Sequence, residues 1–209
     1  MYKGDFQDGK QCGYGYLLQL NGKIFEGYFV DDLQSVLGIE KSYDKSNYTG
    51  EYNNGKKQGI GKWIGSDNSS YEGEFCDNLK NGFGIHYFRD GSRYMGEWKN
   101  NTMEGYGELY TPDGKIYIGF HKNDKKHGFG FFLWVDGRTF MGIWKNGKQH
   151  GLGKYIAEGV IRFGIWIDGE RISWYDSEEE AFNQIKIEDF YTKFYKYERK
   201  DIMNLLKDK

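Results

Sequence analysis

Tyr94-Met-Gly-Glu-Trp98-Lys-Asn-Asn-Thr-Met-Glu-Gly105-Tyr-Gly107 decides how this chain is read, because its pattern recurs along most of the 209 residues. The pattern is an aromatic at offset 0, Gly at +2, an aromatic at +4, Gly or Asn/Asp at +7, and Gly at +11 and +13. It opens at Tyr2, Phe25, Tyr48, Tyr71, Tyr94, Tyr117 and Phe140, each 23 residues after the last. An eighth copy, Arg162-Phe-Gly164-Ile-Trp166-Ile-Asp-Gly169, follows after 22 and is expected to break off before its second strand. Self-similarity at a fixed period identifies a repeat array.

Offsets 0 to +5 alternate with period two, the signature of a strand. Offsets 0, +2 and +4 then share one face, with Gly between two rings, a spacing that marks close approach of another group. Asp8-Gly9, Asn54-Gly55 and Asn146-Gly147 suit the positive φ angles of tight hairpin turns. A second strand passes through the glycines at +11 and +13. The residue between them is always aromatic or aliphatic: Tyr14, Leu37, Ile60, Phe83, Tyr106, Phe129 and Leu152. Asn21-Gly22, Asp90-Gly91, Asp113-Gly114 and Asp136-Gly137 close the units. Each repeat is thus one β-hairpin, and some 15 strands at ~4.8 Å spacing would extend roughly 70 Å.

Composition agrees. The chain has 31 Gly and 19% aromatics but only 38% hydrophobic residues, a recipe for a thin sheet rather than a compact core. A net charge of −2 gives no whole-chain attraction to nucleic acid or anionic lipid. Cys12 and Cys76 fall at different offsets, so no disulfide framework is expected and a reducing cytosol is the default. No run of 18 apolar residues and no signal segment is present, and the sequence reads as soluble and intracellular.

The unit Y-x-G-x-W-x-x-G-x-x-x-G-x-G, with His127 and His150 before a Gly, resembles the MORN repeat over residues 2–169. The resemblance implies a mainly β fold: a single-layered, twisted antiparallel array of about seven and a half hairpins with a groove along one face. It also implies a scaffold or adaptor, often in cilia and other cytoskeletal assemblies, with some members on membranes. Asp32 and Val36 stand where glycines belong in the second copy, and His121 takes an aromatic position in the sixth.

After residues 1–169 we read a linker over 170–176 and a helical segment over 177–209. Ser177 offers a helix N-cap with Glu180 three residues later. Ile187, Phe190, Tyr191, Phe194, Ile202 and Leu205 are spaced as a helical stripe.

No chemistry rises above this architecture. His127 and His150 share an offset, which repeat identity explains without a metal, and neither a phosphate loop nor a nucleophile elbow is present. We expect no enzyme activity, no cofactor and no nucleic acid. A third reading is an accessory subunit of an enzyme, which copurification with an activity would reveal. Lys10, Lys56, Lys57, Lys80, Lys125, Lys126, Lys145 and Lys148 gather near turns. They support a rival reading as a peripheral tether on anionic phospholipid, although solvated turn lysines are commonplace.

The variable offsets +1 and +3 are largely polar in early copies (Lys3, Asp5, Thr49, Glu51, Glu72, Glu74). Later they turn apolar at Met95, Ile118, Phe120, Met141, Ile143, Phe163 and Ile165, with Glu97 the lone charge. The expected arrangement folds Phe190, Phe194 and Leu205 over Ile118, Phe120, Met141, Ile143 and Ile165; the alternative is that the helices reach out to a partner and leave that face to another protein. The expected partner-binding groove is lined by Phe75, Tyr94, Trp98, Phe140 and Trp144, taking a helical or extended protein segment in a ciliary axoneme or other cytoskeletal assembly; the alternative is that these rings only pack on one another between repeats. The first strand, Tyr2 to Gln7, reads as an open edge through which two copies could pair.

Overall fold

The computed structural model describes residues 1–184. It divides into two compact units, Met1–Thr102 and Met103–Lys209. The first holds β1 (Tyr2–Gln7), β2 (Lys10–Leu18), β3 (Ile24–Val30), β4 (Leu33–Lys41), β5 (Asn47–Asn53), β6 (Lys56–Ile64), β7 (Ser70–Cys76), β8 (Leu79–Tyr87) and β9 (Arg93–Lys99). From there follow β10 (Thr102–Tyr110), β11 (Ile116–Lys122), β12 (Lys125–Leu133), β13 (Thr139–Lys145), β14 (Lys148–Ala157), β15 (Val160–Ile167), β16 (Glu170–Tyr175) and α1 (Glu178–Gln184). The strands are hydrogen-bonded in sequence order, β1 to β16, as an open sheet of the expected hairpin array.

Glycine sets the register. The +2 and +13 glycines of a hairpin lie opposite each other, as in Gly50↔Gly61 and Gly73↔Gly84. The +13 glycine faces the +2 glycine of the next hairpin, as in Gly61↔Gly73. The offset-0 ring lies over this glycine pair: a Cβ added at Gly61 would overlap the Tyr48 phenol. A bulge follows in each of these hairpins, and the tyrosine hydroxyl donates to the carbonyl exposed there. Tyr48 donates to Glu51 O (3.1 Å), Tyr71 to Glu74 O (2.9 Å) and Tyr117 to Phe120 O (2.8 Å). Tyrosine therefore satisfies the irregular backbone that the bulge creates.

Both central residues of the first turns have positive φ, for example Asn54 (48°) and Gly55 (77°), as a type I′ turn requires. Where Asn or Asp replaces the second Gly, it clamps the preceding hairpin twice. Asn78 N–H donates to Lys57 O (3.0 Å) while its Oδ1 accepts from Lys57 N–H (2.9 Å). Asp32 makes the same pair of bonds with Gln11 (3.1 and 2.8 Å), so the departure at Asp32 keeps a regular turn.

Val36 is different. It carries the φ of the +11 glycines, at 62°, where a β-branched side chain crowds its own backbone. Val36→Gly should therefore raise stability by about 1 kcal/mol net of the flexibility glycine adds to the unfolded chain. A denaturant midpoint unchanged or lowered by this substitution would count against strain at Val36.

Two sequence expectations change. The eighth unit does have its second strand, and residues 170–175, expected as linker, form β16. Asp168 (φ 49°) and Gly169 (φ 94°) make the turn that returns the chain, and Trp174 packs edge-on against Trp166 at 5.6 Å. The helix start is as expected: Ser177 Oγ accepts from Glu180 N–H (3.1 Å), and Glu180 Oε2 accepts from Asp176 N–H (3.3 Å). α1 lies against β14, β15 and β16, with Ala181 fully buried. The remaining expected helical residues, 185–207, lie outside the described residues.

Candidate partner-binding surface

Strand alternation gives the sheet two faces of opposite character. The ring face carries the 0 and +4 side chains as an edge-to-face zipper. Phe25–Tyr52, Tyr48–Phe75 and Tyr71–Trp98 centroids are 5.0, 5.0 and 5.4 Å apart, with interplanar angles of 83° to 85°. Tyr117–Trp144 and Phe140–Trp166 continue it in the second unit at 5.5 and 4.9 Å. Each such pair contributes ~0.5–1.5 kcal/mol beyond area burial.

The five residues expected to line a groove sit in this zipper. Tyr94 and Phe140 are 0% exposed, and Phe75, Trp98 and Trp144 are 5% exposed. Side chains buried this deeply by their neighbours offer a partner almost no surface. The expected groove contact thus gives way to an architectural role, because these rings pack on rings of their own and neighbouring hairpins, with long +9 lysines over Trp98 and Trp144. Lys80 lies over Trp98 (4.9 Å) and Tyr71 (5.1 Å), while Lys126 lies over Phe132 (3.9 Å), Trp144 (4.7 Å) and Tyr117 (5.3 Å). Burial pulls the Lys126 ammonium pKa down to about 8. The turn lysines are also engaged: Lys10 with Asp31 (3.3 Å), Lys56 with Asp77 (2.8 Å) and Lys57 with Glu40 (3.0 Å).

Two histidines belong to the same face. His86 Nδ1 lies 2.9 Å from Lys80 Nζ, so the ring is a neutral acceptor there. Burial first, then the Lys80 charge, bring its pKa down to about 4. His121 packs edge-on against Tyr117 at 5.0 Å, as the aromatics at this offset do, and burial brings its pKa also to about 4. A folded pKa below the unfolded value means that the unfolded chain binds the extra proton. Stability is therefore present above pH ~6.5 and falls progressively toward pH ~4, by roughly 3 kcal/mol per histidine. His86→Phe, matching Phe132 at the same offset, should flatten the loss, and melting curves at neutral and acid pH would reveal an undiminished slope if this origin is mistaken.

The opposite face is where the surface lies. Its +12 residues Tyr14, Leu37, Ile60 and Phe83 are 54, 53, 57 and 52% exposed. Across the strand pair, Tyr14 faces Tyr28, Leu37 faces Glu51, Ile60 faces Glu74 and Phe83 faces Glu97. Within the second unit the pairs at the same offsets are Tyr106↔Phe120, Phe129↔Ile143 and Leu152↔Ile165, with no acid among them. There Phe129, Ile143 and Leu152 are 5, 5 and 1% exposed, with Tyr106, Phe120 and Met141 packed on the first two. Ile118, Phe120, Met141 and Ile165 are half-buried. The sequence pointed to this row only as the residue at offset +12; the signal that would have found it is the +3 glutamate opposite Leu37, Ile60 and Phe83.

Among the described residues no His, Cys, Asp or Glu cluster is gathered to hold a metal, and no helix is long and apolar enough to cross a membrane. His150 instead approaches Asp168 (Nδ1 to Oδ1, 3.4 Å), and Cys12 and Cys76 are free thiols.

No curated protein matches the chain at a significant level. Among solved structures, the chain is similar to the SAS-4 (dCPAP) TCP domain of Drosophila melanogaster, solved with a proline-rich motif of Ana2 (dSTIL). Identity is 13% and the TM-score 0.45, covering 74% of this chain and 84% of that one. The TCP10 domain of Danio rerio CPAP, solved with a peptide of STIL, is 11% identical at TM-score 0.45, covering 79% and 84%. Likeness at this level carries no functional argument. The MORN repeat profile matches residues 2–19, 25–46, 48–70, 71–93, 94–116, 117–137 and 140–158, each enclosing one of the hairpins described above. With the glycine register, the ring zipper and most of the chain inside those matches, the chain belongs to the MORN repeat family.

Proposed function

We propose that the chain is a non-enzymatic scaffold that binds a protein partner on the outer face of its sheet. The observation carrying this reading is the exposed row of Tyr14, Leu37, Ile60 and Phe83 on a hydrogen-bonded sheet whose opposite face is spent on its own packing. A row of exposed large apolar side chains on one face of this kind marks an interaction site. The proposal extends to a setting in a ciliary axoneme or other cytoskeletal assembly, for which the family resemblance is the support and no residue of the chain is. Copurification from native cells tests the reading. Wild type should retain a protein partner that Leu37→Ser/Ile60→Ser loses without a change in melting temperature. Equal recovery by both would overturn it. Anionic liposomes serve as the comparison, since ion pairing of Lys10, Lys56 and Lys57 speaks against the lipid tether.

The same reading assigns residues after Tyr175 to the outer face of the second unit. Bare outer-face residues stay half exposed in the first unit, whereas Phe129 and Leu152 are buried, and α1 already lies against β14, β15 and β16. Ile118, Phe120, Met141, Ile143 and Ile165 are the proposed contacts; Phe190, Phe194 and Leu205 lie outside the described residues. Pairing of two copies through β1, which ends the strand order, is a secondary proposal.

A further inference from the structure

The outer row of the first unit is periodic in chemistry as well as in space. Apolar side chains recur once per hairpin, every second strand, and therefore ~9.6 Å apart. Midway between them stand the +3 residues, with Glu51 and Glu74 directly opposite Leu37 and Ile60. These carboxylates are fixed but keep their charge. Glu51 accepts from Ile60 N–H (3.0 Å) and Glu74 from Phe83 N–H (2.7 Å). Each is held by a neutral donor, so its negative charge still faces outward.

Three kinds of ligand backbone can be laid along such a row. An extended strand returns a side chain to the same face every ~6.7 Å, which matches neither spacing. A polyproline helix repeats every ~9.3 Å but has no side chain on the same face midway. An α-helix rises ~10.5 Å over seven residues and ~4.5 Å over three, so it presents one side chain to each apolar residue and another to the carboxylate between. A modest tilt of its axis removes the remaining difference.

We propose that the first unit binds a cationic amphipathic α-helix of a partner protein. The helix lies across the strands with an apolar residue every seventh position and Lys or Arg three residues after each. This deepens the scaffold reading and rests on it. The apolar positions cover Leu37, Ile60 and Phe83, and the basic positions meet Glu51 and Glu74. The all-apolar row of the second unit would reject such a helix, because it would bury the basic positions without a counter-charge.

Fluorescence anisotropy with the full chain tests this, using a designed labelled helix with Leu at every seventh position and Lys three residues later. It should bind at least about tenfold more tightly than a peptide of equal composition with the leucines shifted out of that register. It should also outbind a proline-rich peptide of equal charge with Leu at every third residue. Ile60→Ser should weaken binding about tenfold or more, and Glu51→Gln/Glu74→Gln should weaken it and remove its salt dependence. Both variants keep their melting temperatures, since Ile60 is exposed and glutamine retains the acceptor for the backbone N–H. Equal binding of the matched and shifted helices, tighter binding of the proline-rich probe, or indifference to Glu51→Gln/Glu74→Gln would overturn the proposal. If the helix fails while Leu37→Ser/Ile60→Ser still loses a cellular partner, the scaffold reading stands and the helical, cationic partner falls.

Discussion

Replacing Trp98 with Ala is expected to lower stability by about 3–5 kcal/mol, making it an architectural rather than a binding substitution. The indole meets Tyr94 at 5.2 Å and Tyr71 at 5.4 Å, both edge-to-face, and its Nε1–H donates to Gly84 O at 3.2 Å. Lys80 lies over its other side at 4.9 Å. Removing the ring leaves a cavity between two hairpins and uncovers rings on either side, where strands locked by the ladder cannot close the gap. Trp98→Phe should cost much less, roughly 1–2 kcal/mol, because Phe29 and Phe75 occupy the same offset elsewhere. Denaturant unfolding of the two variants decides the matter. A small shift of the midpoint for Trp98→Ala, accompanied by loss of a partner, would return this ring to the binding surface that the sequence had suggested.

Truncation after Tyr175 is expected to destabilise the second unit by about 5 kcal/mol. It removes α1 and the residues assigned to the outer face, leaving Phe129, Ile143 and Leu152 to water at ~1.5–3 kcal/mol each, less the ordering entropy recovered. The cut is placed after β16, because Trp174 belongs to the ring zipper and must stay. Loss of cover should appear as a lower urea midpoint, binding of a hydrophobic dye and concentration-dependent aggregation, since large exposed apolar patches are association-prone. A truncated chain that remains soluble and equally stable would refute the cover and leave the same face to a partner. Ile143→Ser in the full chain provides an independent reading. It should cost several-fold more stability than Ile60→Ser, because one position is buried and the other exposed.

The array itself was legible because its determinants are local. Gly at fixed offsets, period-two alternation and Asn-Gly, Asp-Gly or Asn-Asn turns act within one hairpin, so a single copy such as Tyr94–Gly107, with its Asn100-Asn101 turn, carries the whole pattern. The Ser177–Glu180 helix start was legible for the same reason. Strand β16 was missed because its sequence, Glu170-Arg-Ile-Ser-Trp-Tyr175, lacks the two glycines of the other second strands and is held instead by pairing with β15. The function of the rings could not be read at all. An aromatic at +4 has the same identity whether it faces solvent or a neighbouring hairpin, and only the edge-to-face contact between hairpins decides that Trp98 and Phe140 are interior. Tertiary structure likewise decided which apolar residues are surface. Leu37 and Leu152 occupy the same offset, +12, yet one is half exposed and the other buried. Sequence fixes the direction in which each side chain points from its strand, while burial depends on what the rest of the chain lays against that face.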